Sequence, residues 1–112
     1  MKARLIELKT LEAVPGEDVA LDYRGMLMAQ LNRIDPKAGL TYEEIERRLD
    51  MRRSLRQAGD TWIVEPSVWE ELKTLLKSER WTLVSDNLIF FIKDINQAPE
   101  TEVGAELTSH GR

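Results

Sequence analysis

The chain contains no cysteine. That excludes disulfides, thiolate nucleophiles and thiolate metal sites, and it suits a reducing cytoplasm, where the protein is expected to reside. There is a single histidine, His110, near the end of the chain. One imidazole cannot by itself assemble a zinc site or a catalytic triad. No apolar run approaches the ~20 residues needed to span a bilayer. Met1-Lys2-Ala3-Arg4 is followed only by Leu5-Ile6 before Glu7, so no signal peptide is expected. Positive charge is not in excess: the net charge is −4, which gives no global attraction to nucleic acid or an anionic membrane. Gly16, Gly25, Gly39 and Gly59 stand singly, without phosphate-loop spacing. The carboxylates Glu43-Glu44-Glu46 and Glu70-Glu71 are of a kind common on helices. A hydrolytic site needs two carboxylates held in a pocket, and nothing in the pattern implies one. The expectation is a non-enzymatic protein without metal or cofactor.

What is present points to one domain of 112 residues with one modest core. The centre of that core is expected in Thr61–Lys77. Thr61-Trp62-Ile63-Val64 is β-branched and aromatic, which suits a short buried strand. Glu65-Pro66-Ser67 then changes the period. Either Ser67 caps a helix with Glu70 as its reciprocal partner, or Glu65 is the cap and Pro66 occupies the first turn. Trp69, Leu72, Leu75 and Leu76 follow at helical spacing. Trp62 and Trp69 bring a large share of the burial open to so short a chain.

Ahead of this stretch, Ile6 and Leu8 alternate with charged residues, and Val19, Leu21 and Tyr23 share a parity. Val14-Pro15-Gly16-Glu17-Asp18 between them has turn chemistry, so an N-terminal β-hairpin is predicted. Asp22 is positioned to cap a helix carrying Tyr23, Leu27, Leu31 and Ile34 on one face, with Asp35-Pro36 ending it. Thr41 with Glu44 makes a capping box for the next helix, flanked by Leu40 and Ile45 as a staple. Tyr42, Ile45 and Leu49 share one face of that helix, and Leu40, Met51 and Leu55 lie nearly opposite. Two partial apolar faces imply packing on both sides or a partner.

Beyond Lys77, Trp81 is expected to fold back on the core and Thr82-Leu83-Val84 to be extended. Two readings compete for the next segment. Ser85 caps a helix bearing Leu88, Phe91, Ile92 and Ile95, with Val84 and Ile89 as a staple, or Ser85-Asp86-Asn87 turns between two strands. The helix matches more positions. Residues 98–112 are polar and aperiodic, so a globular domain over 1–97 and a flexible tail over 98–112 are predicted. No internal repeat is visible. The fold class expected is α+β, mainly helical, with an N-terminal hairpin and about four helices around one core.

The sharpest polar feature is Arg47, Arg48, Arg52, Arg53 and Arg56, opposed within their segment only by Asp50. One reading is a phosphate-contacting helix. The bland one is a solvated face, since Glu43 and Glu44 precede Arg47 and Arg48 in the favourable i, i+4 order and cations suit the C-terminal half of a helix. A mixed surface of Arg48, Arg52, Arg53 and Arg56 with an exposed Met51 also suits a protein partner. That reading is preferred, and a nucleic-acid-binding regulator using the same arginines is the alternative.

RLIELKTLEAVPGEDVALDYRGMLMAQL resembles the short-strand, turn, helix opening of small accessory and assembly proteins of tailed phages and prophages. TYEEIERRL and VWEELKTLLKSERWTLVSDNLIFFIKDI are similar to the later helices of that group. The resemblance covers about residues 4–96 and departs at the closing tail. It implies an assembly factor, or an inhibitor of a host protein, that acts by contact with a phage or host protein. It carries over no catalytic residue.

Overall fold

The computed structural model describes residues 2–16 and 18–103. Its elements run β1 (Lys2–Glu7), β2 (Thr10–Leu11), β3 (Leu21–Asp22), α1 (Tyr23–Asn32), α2 (Tyr42–Gln57), β4 (Thr61–Val64), α3 (Pro66–Ser78), α4 (Asp86–Asn96) and β5 (Glu100–Glu102). The fold is α+β. Among the described residues, no helix is long and apolar enough to cross a membrane.

Strand β1 is the middle of an antiparallel sheet ordered β4-β1-β5. The β-branched segment Thr61–Val64 is a strand as expected, and its partner is β1, with Ile6 opposite Trp62 and Arg4 opposite Val64. The predicted N-terminal hairpin is present in shortened form, displaced from Ile6 and Leu8. Only Thr10–Leu11 and Leu21–Asp22 pair, as a two-residue ladder. The segment from Val14 to Asp18 does turn, with Gly16 at φ +80, but Ile6 lies opposite Trp62 in the β1–β4 ladder rather than in the second strand. Ile6, Trp62 and Val64 all join the core cluster.

The boundary at residue 97 is corrected. Ala98 is buried, and Glu100–Glu102 closes the second edge of β1. The Leu5 amide donates to the Pro99 carbonyl (2.9 Å), and the Arg4 guanidinium binds the Ala98 carbonyl (2.9 Å) and the Glu100 carboxylate (3.2 Å). Short acidic β5 lacks apolar alternation because its hold on the sheet is main-chain bonding and charge. The rest of the predicted tail, 104–112, lies outside the described residues, and His110 with it.

The helix starts follow local chemistry. Asp22 caps α1 by accepting from the Gly25 amide (3.1 Å), and a Cβ at Gly25 would stand 3.1 Å from the same carboxylate. Glycine thus costs helix propensity here but gives room to the cap. Thr41 and Glu44 form the full capping box of α2. Of the two starts open for α3, Glu65 is the cap and Pro66 the first helical residue. Ser85 caps α4 by accepting from the Leu88 amide (3.2 Å), so the helical reading of this segment holds and the two-strand alternative does not. The 79–85 connection contains no strand.

Trp62, Trp69, Leu72, Leu76, Leu27, Leu31, Phe91 and Ile95 fill one core. The N–H of both core tryptophans has an acceptor: Ser54 Oγ for Trp62 (2.9 Å) and the Ile95 carbonyl for Trp69 (2.8 Å). Tyr23 meets Phe91 edge to face at 5.0 Å. The Arg4 guanidinium and the Lys73 ammonium lie over the Trp69 ring, at 3.8 and 3.4 Å from its centroid, a cation–π arrangement on the indole. Ile34 leaves the α1 stripe because the helix ends at Asn32 and Arg33 is extended.

Candidate interaction surface

The α2 arginines do not form one surface. Arg48 is largely enclosed and donates to the carbonyls of Leu31 and Arg33 (both 2.9 Å). Its neighbour Arg47 pairs with Glu71 at 3.0 Å. Arg52 is half-buried. Arg53 is exposed and pairs with Asp50 (2.8 Å), and Arg56 is exposed. Met51, expected on the surface, is only 4% exposed and packs in the core with Leu55. The periodicity offered two apolar faces on this helix, and the inner one is Met51 and Leu55. Tyr42 and Ile45, on the other, stand in solvent, with Tyr42 76% exposed.

Arg48 belongs to a wider arrangement in which the ends of α1, α2 and α3 each meet an arginine from elsewhere in the chain. The α1 end takes Arg48. The α2 end takes Arg24, which donates to the Leu55, Ala58 (2.9 Å) and Gly59 (2.6 Å) carbonyls. The α3 end takes Arg33, on the Leu75 carbonyl (2.7 Å). Just past α4, Arg4 holds the Ala98 carbonyl. The last carbonyls of a helix have no intrahelical donor and carry the negative end of its dipole. A planar, permanently charged fork answers both needs. Arg24 and Arg48 are reciprocal: each sits on one of a packed helix pair and closes the end of the other.

Two polar clusters outside α2 are also internally occupied. A cleft of about 160 Å³ is lined by Glu7, Lys9, Tyr23 and Asp94 among others. Its polar groups converge on one another: the Tyr23 hydroxyl donates to Asp94 (2.6 Å), and Lys9 pairs with the same carboxylate at 3.4 Å. Burial, reinforced by that hydrogen bond, pushes the Tyr23 hydroxyl well above its ordinary pKa. The second cluster fastens the 12–19 loop to the start of α4. Asp18 accepts from the Ser85 hydroxyl and the Asn87 amide (3.0 Å), while the Asn87 side chain donates to the Glu12 (3.0 Å) and Val19 (2.8 Å) carbonyls. The Ser85 hydroxyl leads the effects that hold the Asp18 carboxyl below the usual carboxylate range. Among the described residues, no group of three His, Cys, Asp or Glu side chains is placed to hold a metal ion.

Fastening that loop leaves an apolar surface around the N-terminal end of α4. Val19, Leu83 and Val84 line a shallow groove of about 280 Å³ together with Gly16 and Asp18. Val84 is as exposed as in an extended chain (101%), so the predicted staple to Ile89 does not form. Its cause is the latch: Ser85 and Asn87 turn toward Asp18, and Val84 is left facing out. Ile89 and Phe90, in the first turns of α4, are also exposed, Phe90 to 53%. The sequence pattern placed Ile89 in a contact it does not make and said nothing of Phe90. The missed signal was the double apolar step Leu88–Ile92: a helix buries only one stripe of such a run, here Leu88, Phe91 and Ile95, and the remainder must face outward.

Comparison with family models, with curated proteins and with solved structures finds no match to this chain.

Proposed function

We propose that this chain is a non-enzymatic protein-binding module that works in the cytoplasm and docks its partner on the apolar surface around the start of α4. The observation that carries this reading is the exposure of Leu83, Val84, Ile89 and Phe90 in sequence-adjacent positions beside Val19. Scattered single apolar residues need no explanation, whereas neighbouring ones argue for a covered surface. The α2 arginines named from sequence contribute less to it, since Arg48 is engaged by carbonyls, Met51 is core, and Arg47 and Arg53 are neutralised by neighbouring carboxylates. The phage accessory role implied by the resemblance in the sequence is carried forward as part of this proposal, with a phage or host protein as partner.

The test is affinity capture from the source cell with three baits: the unaltered chain, Val84→Ser/Phe90→Ser, and Arg53→Ser/Arg56→Ser. All four side chains are exposed, so each bait should keep the native melting transition. The expected result is a protein partner retained by the first and third baits and lost by the second. Loss in the third alone, or capture that nuclease treatment abolishes, would move the function to α2 and to the nucleic-acid alternative.

A further inference from the structure

We infer that the occupant of the α4 surface is a basic amphipathic helix of another protein, an assignment that rests on the protein-binding reading above. The argument begins with charge. Among the described residues, the loop and helix start that build the surface carry Glu12, Asp18 and Asp86, and the 81–92 segment contains no lysine or arginine. Asp86 is exposed in the first turn of α4, between Val84 and Ile89. The nearest cation along the helix is Lys93, one turn beyond Phe90. Asp86 therefore stands among the apolar residues at the start of α4, with Glu12 and Asp18 on the loop fastened to it, and the cations Arg80 and Lys93 lie in sequence on either side of the 81–92 segment. A partner stripe flanked by Lys or Arg complements this, and complementary potential raises the encounter rate as well as choosing the partner.

The same charges weigh against the other occupants. A second copy would bring this patch against its own counterpart, where the unbalanced carboxylates Glu12 and Asp18 add like charge to the contact, and light scattering tests that occupant directly. An anionic lipid surface or a nucleic acid would be repelled. The form of the occupant follows from the backbone. Val19, Leu83, Val84, Ile89 and Phe90 all lie in loops or on a helix, and none is in a strand. Strand addition has no template there, so recognition must pass through side chains, as when an apolar helix face is laid into a groove.

The experiment uses the full chain and three labelled model helices that share one leucine and phenylalanine stripe and differ only in a polar face of lysine, glutamine or glutamate. Binding is read by fluorescence anisotropy at low and high salt. The lysine-faced helix should bind at least about tenfold tighter than the glutamate-faced one at low salt. The gap should narrow as salt shortens the screening length, from about 10 Å at 0.1 M to about 3 Å at 1 M. Phe90→Ser should abolish binding of all three, and Asp86→Asn should reduce only the preference for lysine. Equal binding of the three helices would overturn the charge assignment and leave the apolar docking surface in place. No binding of any helix up to millimolar concentration would overturn the helical occupant, while the capture experiment would still judge the protein-binding reading. A dimer in light scattering that Phe90→Ser dissolves, or cosedimentation with phosphatidylglycerol vesicles tighter than any peptide, would replace the partner with a second copy or a membrane.

Discussion

Helices α3 and α2 are neighbours in sequence and opposites in how they are held. Helix α3 buries Trp69, Leu72 and Leu76 on one stripe, and apolar area removed from water is enough to seat it, at about 1.5–3 kcal/mol per fully buried large side chain. Helix α2 is longer but buries only Met51 and Leu55, at its C-terminal half. Its position is fixed by charge: Arg48 reaches out to the end of α1, and Arg24 reaches in to the end of α2. The contrast teaches that a run of arginines on a weakly amphipathic helix can be the helix's own attachment. Arg48, which looks available from sequence, is here spent on carbonyls, and the neighbouring exposed apolar residues Val84, Ile89 and Phe90 lie around the start of α4.

The largest effect should come from breaking the buried helix. Trp69→Ala removes the indole, its hydrogen bond to the Ile95 carbonyl and the platform for Arg4 and Lys73. The expected cost is about 3–5 kcal/mol, against a typical total of about 5–15 kcal/mol, and a melt within a few degrees of wild type would refute it. Next is a chain stopped after Gln97, which removes β5 and the Ala98 and Glu100 partners of Arg4. The main-chain bonds alone are worth about 0.5–1.5 kcal/mol each, so the denaturation midpoint should fall clearly, and an unchanged midpoint would show that β5 is dispensable. Arg24→Ala tests the charge-held helix. It should cost about 1.5–3 kcal/mol, the range for hydrogen bonds to a charged group, with hydrogen exchange rising first around Leu55–Gly59. The smallest of these is Thr41→Ala, at about 0.5–2 kcal/mol, read by chemical denaturation and by fraying at the start of α2.

What was legible in the sequence was local. Asp22, Thr41 and Ser85 were identifiable as caps because a cap and the amide it accepts from lie within three residues, and the Trp69 stripe because burial leaves a period of 3.6. The pairing of β1 with β4 and β5 was not, since both partners sit far along the chain and β5 carries no alternation. The arginine contacts were invisible for a different reason. They span 17, 31, 42 and 94 residues and end on backbone carbonyls, which every residue possesses, so no residue type marks the acceptor. Met51 was misplaced because α2 offered two apolar faces and only packing decides between them. The surface at Val84 and Phe90 was hidden behind a staple pattern that is correct in spacing but undone by the Asp18 latch.

The claim that α2 is held by arginine rather than by burial is tested most directly by paired denaturation of Arg48→Ala and Arg53→Ala. Both remove a guanidinium from the same helix. Arg48 is enclosed and bonded to two carbonyls, whereas Arg53 is exposed with a single carboxylate three residues away. Exposed pairs contribute about 0–1 kcal/mol, and charged hydrogen bonds about 1.5–3 kcal/mol. The account predicts that Arg48→Ala is the more destabilising by at least about 1 kcal/mol, with Arg53→Ala close to wild type. Equal losses, or a larger loss at Arg53, would contradict it.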